Sequence, residues 1–123
     1  MIKGLCLATI WSEDLNNLLP FYRDVVGLTP GLETPGFVIL GDPAGPSLAL
    51  GTHSEVHGPS RDPARHMVGL ETDDIVVETS RLKSQGVEFI EEPTDAGDGG
   101  VRVATFKDPE GNLVQLLQFS AQN

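Results

Sequence analysis

Cysteine is nearly absent: Cys6 stands alone, so no internal disulfide can brace the fold. Long hydrophobic runs are missing too, since no stretch approaches the roughly 18 to 20 apolar residues that a spanning helix needs, which argues against membrane insertion. The opening Met1-Ile2-Lys3-Gly4 lacks the basic head and long apolar run of a signal peptide, so a reducing cytoplasm is the expected setting. Basic residues are scarce. Eight Lys and Arg against 18 Asp and Glu leave a formal charge of −10, which repels nucleic-acid phosphates and anionic lipid at long range. Neutral or cationic small molecules are the partners that fit. Ser12, Ser47, Ser80 and Ser120 have no Gly-x-Ser-x-Gly setting, so nucleophilic catalysis has no support. Gly97, Gly99 and Gly100 around Asp98 precede a strand and lack a Lys-Ser/Thr ending, which excludes a phosphate loop and predicts a flexible one.

What is present is enough for one domain: 123 residues, 39% of them hydrophobic. Leu5 to Ile10 is an apolar run of strand length, with Cys6 expected to face a helix as a small buried residue. Leu15, Leu18, Leu19, Tyr22, Val25 and Val26 then recur at helical steps, predicting a helix that ends at Gly27 with an irregularity near Pro20. Gly36 to Leu40 and Ser47 to Gly51 read as strands around the tight turn Asp42-Pro43-Ala44-Gly45. The order then recurs. Met67 to Thr72 reads as a strand, Asp73-Asp74 as a cap, and Ile75 to Gln85 as a helix with Ile75, Thr79 and Leu82 inward and Gly86 at its end. Val87 to Ile90 extends, and Val101 to Phe106 and Leu113 to Phe119 flank a second turn, Asp108-Pro109-Glu110-Gly111. Asp14 and Asp74 lie 60 residues apart, Asp42 and Asp108 lie 66 apart, so one six-residue insertion aligns the halves. This gives a first module over about 3–52, a linker over 53–65 rich in Pro, Ser, Gly and charge, and a second module over about 66–120. Thr29 to Pro35 and Glu91 to Gly100 are expected to be loops.

The run Phe21-Tyr22-Arg23-Asp24-Val25-Val26-Gly27-Leu28 resembles the first-helix signature of the vicinal-oxygen-chelate superfamily of glyoxalases, bleomycin-resistance proteins and extradiol dioxygenases. Phe106-Lys107-Asp108-Pro109-Glu110-Gly111-Asn112-Leu113 resembles its final hairpin. The likeness spans about Gly4 to Phe119. It implies an α+β fold of two tandem βαβββ modules, whose curved mixed sheets surround a cavity, and a homodimer. It also implies that the glycine-rich loop borders the cavity mouth and serves as a lid.

Enzymes of that superfamily hold a divalent metal through His, Glu or Gln, one from the first and one from the last strand of each module. Seven residues before the capping aspartates stand Leu7 and Met67, and seven after the turn aspartates stand Ala49 and Gln115. Gln115 alone could ligate a hard or borderline ion, so no metal cofactor is expected. A slip of one residue would bring in His66, making His66, Glu71 and Gln115 the alternative metal set, but it would also turn every side chain of the strand to the other face. His53 and His57 read as solvated loop residues. With Met67 in register, period-two alternation lines the cavity with Leu7, Thr9, Trp11, Ala49, Gly51, Met67, Gly69, Glu71, Gln115 and Leu117, and with Phe119 at its end. Such a wall is mostly apolar with isolated polar anchors, which suits a small-molecule pocket. Trp11 would stack on a flat ligand, or else pack as core.

Three functions follow. One is a metal-independent protein that binds or sequesters a small cationic or aromatic molecule. A second is a divalent-metal lyase, epimerase or dioxygenase with a non-standard site. The third is a non-catalytic structural or regulatory dimer module.

Overall fold

The computed structural model describes residues 1–42, 44–95 and 100–119. Its chain divides into two compact units, Met1–Gly58 and Pro59–Asn123, so the boundary falls inside the segment read as a linker. In the first unit β1 (Leu7–Ser12) leads through a 3-10 turn (Leu15–Asn17) and a π-helical turn (Phe21–Val25) to β2 (Pro30–Thr34), β3 (Phe37–Leu40) and β4 (Ser47–Thr52). The second unit runs β5 (Val68–Glu71), α1 (Ile75–Ser84), β6 (Phe89–Asp95), β7 (Val101–Lys107) and β8 (Leu113–Phe119). Both sheets have the same topology, β1-β4-β3-β2 and β5-β8-β7-β6. In each, the first strand lies parallel to the last and the remaining pairs are antiparallel. A parallel return needs a crossover, which the helical segment supplies. The protein is therefore α+β, a βαβββ arrangement made twice.

The duplication extends to single hydrogen bonds. Asp14 and Asp74 both sit in extended backbone and cap the segment that follows, Asp14 accepting from the Asn16 N–H and Asp74 from that of Val77. One residue on, the Leu15 N–H donates to Thr52 Oγ1 at 3.0 Å and the Ile75 N–H donates to Gln118 Oε1 at 2.7 Å. Thus the final strand of each sheet satisfies an orphan donor of its own helical start.

The two turns repeat as well, but at different depths. Asp42 Oδ1 accepts from the Ala44 N–H at 2.8 Å in an exposed turn, whose Pro43 lies outside the described residues. Asp108 is only 5% exposed. Its Oδ1 accepts from the N–H groups of Glu110 and Asn112, each at 2.9 Å, and its Oδ2 from the Asn112 amide at 2.8 Å. Leaving a buried donor without its acceptor costs about 1–3 kcal/mol. Asp108→Ala is therefore expected to lower unfolding free energy by about 2–4 kcal/mol, and Asp42→Ala by under about 1 kcal/mol, both read by urea denaturation. Equal losses would contradict this difference in burial.

Several expectations need correction. The first helix is not a continuous α-helix. Pro20 has no N–H to give, and beyond it the Val26 N–H bonds Phe21 O at 2.8 Å, five residues back, before Gly27 turns at φ 94°. The apolar stripe survives, with Leu15, Leu18, Leu19 and Tyr22 buried. Thr29–Pro35 is not a loop but holds β2, an edge strand exposed along its whole length, where no burial imposes an apolar pattern. Glu91–Gly100 likewise contains the end of β6, which runs to Asp95, while Ala96 to Gly99, most of the glycine cluster, lie outside the described residues. Cys6 is exposed rather than buried, because β1 begins only at Leu7.

Each unit keeps its core on the helical side of its sheet. Leu48 and Leu50 of β4 and Val38 and Leu40 of β3 are buried with the residues of the first stripe. In the second unit Ile75, Thr79 and Leu82 of α1 are buried, as are Ala104 and Phe106 of β7 and Val114 and Leu116 of β8. The alternate residues form the opposite face, exposed at Phe119 and half-buried at Gln115 and Leu117, although Ala49, Val103 and Thr105 on it are buried. At the surface Arg23 grips Asp24 (Nε to Oδ1 2.9 Å) and reaches Glu33 of β2 at 3.3 Å. The hydrogen bond from Arg23 holds the Asp24 carboxyl below its ordinary value. A depressed carboxylate contributes stability above its unfolded pKa that is lost as pH falls through the folded one, a small effect for so exposed a pair.

Candidate functional site

The open face of each sheet gathers the chemistry that folding does not consume. In the first unit, register sets Leu7 beside Ser47, Thr9 beside Ala49 and Trp11 beside Gly51. Trp11 is the centre of this face. A Cβ on Gly51 would lie 2.7 Å from Cε3 of Trp11 and 3.1 Å from Phe37, so the missing side chain is the space that the indole occupies. Phe37 stands 5.9 Å from the indole centroid and His53 meets it edge-on at 5.5 Å. Even so the tryptophan is 43% exposed. A flat aromatic surface is held in place on one side and left to solvent on the other.

His53 is thus more than a solvated loop residue. Its backbone N–H donates to Ser12 O at 2.9 Å and its Nδ1 accepts from the Glu55 N–H at 3.1 Å. His57 remains an exposed loop residue, 3.8 Å from Glu13.

In the second unit Gly69 pairs with Gln115 and Glu71 with Leu117. Met67 lies just before β5 and is exposed. Reading on across the sheet, Gln115 pairs with Thr105, and Thr105 with Glu91. The residues Phe37, Ile39, Thr105 and Glu91 were not among the expected lining positions. Phe37 and Ile39 sit in the unbroken apolar run Phe37-Val38-Ile39-Leu40, where no alternation marks a face, and Glu91 falls in the segment expected to be a loop.

A model of the glyoxalase/bleomycin resistance protein/dioxygenase superfamily matches residues 5–116. The chain belongs to this superfamily. Other proteins of like structure agree. A superfamily member from Sphaerobacter thermophilus DSM 20745 shares 28% identity with a TM-score of 0.77, covering 96% of this chain and 98% of that one. TnmS3, an antibiotic binding protein from Streptomyces sp. CB03234, shares 28% identity with a TM-score of 0.75 over 97% and 98% of the two chains. The protein YurT of Bacillus subtilis (strain 168) is 49% identical over 45 residues, which is 37% of this chain and 34% of YurT.

Three of the four positions at which the resemblance places metal donors lack a hard or borderline donor. At the four positions, Leu7 and Ala49 carry no donor atom, Met67 a soft thioether, and Gln115 a neutral amide oxygen. The alternative set is not gathered either. His66 lies before β5 and Glu71 at its far end, roughly 16 Å apart if the intervening chain is extended. Among the described residues, no three of His, Cys, Asp and Glu stand close enough to hold a metal ion. The donor set does not fit the superfamily's divalent ion.

Proposed function

We propose that this superfamily member binds and sequesters a small organic molecule with a planar ring, without the help of a metal. The observation that carries the reading is Trp11, fixed over Gly51 between Phe37 and His53 yet open to solvent. An aromatic side chain wedged by its neighbours but uncovered on one face is pre-organised for stacking, because little conformational freedom remains to be lost when a ring settles on it. Around it half-buried Leu7 and Thr9 add surface on the same face. The likeness to an antibiotic binding protein supports the same class of function. On this reading the partner is a small molecule rather than nucleic acid or a bilayer, consistent with the charge of −10, and the protein works in the cytoplasm as a homodimer. Among the described residues no helix is long and apolar enough to cross a membrane.

Trp11 is the only tryptophan, so its emission reports directly on the site. Titration with planar aromatic compounds, cationic and neutral, is expected to quench it saturably, with the same affinity before and after treatment with a chelator. Absence of saturable quenching across the whole panel would overturn the proposal, and loss of binding on chelation would return the metal to consideration.

A further inference from the structure

The open face of the second sheet carries polar groups that its own packing does not explain. One row crosses all four strands: Glu91 of β6, Thr105 of β7, Gln115 of β8 and Gly69 of β5. Among the described residues none of the three polar side chains in it has a hydrogen-bond or ion-pair partner. Thr105 is only 6% exposed. Its hydroxyl is not enclosed, since among the described residues only Thr79 Oγ1 is buried without a partner, and valine would fill nearly the same space.

The duplicated unit supplies a control. Its equivalent row is Leu32 of β2, Ile39 of β3, Ala49 of β4 and Thr9 of β1, with a register shift just before Leu32 as there is before Glu91, which has a second shift after it. The same fold is thus built with leucine, isoleucine and alanine where the second unit has glutamate, threonine and glutamine. Packing does not call for the polar set.

We propose that Glu91, Thr105 and Gln115 receive the protonated amine of a small molecule bound on this face of the second sheet. This rests on the small-molecule reading above and names the group recognised. An alkylammonium has three N–H donors and no acceptor, and the row holds a carboxylate, a hydroxyl oxygen and an amide oxygen. Adjacent strands lie about 4.8 Å apart, so the longer Glu91 and Gln115 flank the short Thr105 closely enough to share one head group. Glu71 lies in the next row, beside Leu117, and adds a second negative charge to this face. Lys107, also on this side of β7, is paired with Glu88 at 3.3 Å. A cation held by a carboxylate and neutral oxygens makes hydrogen bonds of the stronger, charge-assisted kind.

The test is isothermal calorimetry with a matched pair of probes, 1-naphthylmethylamine and 1-naphthylmethanol, which share a ring and differ in the head group. The wild-type protein is expected to bind the amine at least tenfold more tightly, an advantage that shrinks with added salt. Glu91→Gln and Thr105→Val with Gln115→Leu are expected to erase that preference while the alcohol's affinity stays within about twofold. Thr105→Val alone is expected to melt no lower than wild type, since its hydroxyl is unpartnered. Equal binding of both probes, or variants that keep the preference, would overturn the amine assignment and leave the aromatic reading standing. Binding of neither probe would overturn both. A marked fall in melting temperature for Thr105→Val would show that the hydroxyl serves the fold, against the proposal.

Discussion

Phe106→Ala is expected to cost about 3–5 kcal/mol of stability. Phe106 has no exposed surface, packs against Phe89 with ring centroids 5.3 Å apart, and pairs across the sheet with Val114, itself fully buried. Truncation removes the transfer free energy of a whole ring and leaves a cavity that rigid neighbouring strands cannot fill. A protein of this size is stable by only about 5–15 kcal/mol, so this one change takes a large share, and the melting temperature should fall by roughly 15 °C. Phe119→Ala is the contrasting change. Phe119 is 52% exposed at the end of β8, so its loss should alter stability by no more than about 0.5 kcal/mol. Calorimetric melting of both variants decides the matter. Similar losses would mean that the core and open faces of this sheet are wrongly assigned.

Trp11→Ala carries the largest expected effect on function. Removing the aromatic anchor of a binding site costs about 2 kcal/mol or more, which corresponds to a weakening of about 30-fold or greater for any ligand that stacks there. Because the tryptophan is already 43% exposed, the same change should leave folding mostly intact, with a stability loss of about 1 kcal/mol from its lost contacts with Gly51 and Phe37. The variant has no tryptophan left to report binding, so equilibrium dialysis or calorimetry is the appropriate readout. Trp11→Phe, keeping a smaller ring, should retain an intermediate affinity. Unchanged affinity in the alanine variant would remove the indole from the site.

Fold-level features were legible in the sequence wherever a local rule has one structural outcome. The capping aspartates, the Asp-Pro-x-Gly turns and the inward set Ile75, Thr79 and Leu82 each follow from neighbours a few residues away. The halves could be aligned on those landmarks alone. β2 and the end of β6 could not be read in this way, because exposed edge strands are held by pairing with a neighbour and carry no apolar alternation of their own.

The candidate site divides along the same line. Period-two alternation is enough to put Thr9 and Trp11, or Ala49 and Gly51, on one side of a strand. It is silent on which strands lie next to each other, and therefore on Phe37 beside Gly51, His53 against the indole, and Glu91, Thr105 and Gln115 in a single row. The sequence by itself determined the doubled βαβββ plan and which residue types stand at the four positions of interest, since both depend on residue type and spacing. Only the tertiary structure decided which polar groups lack partners and which aromatic surface stays open, because partnership and exposure arise from residues far apart in the chain brought together across a sheet.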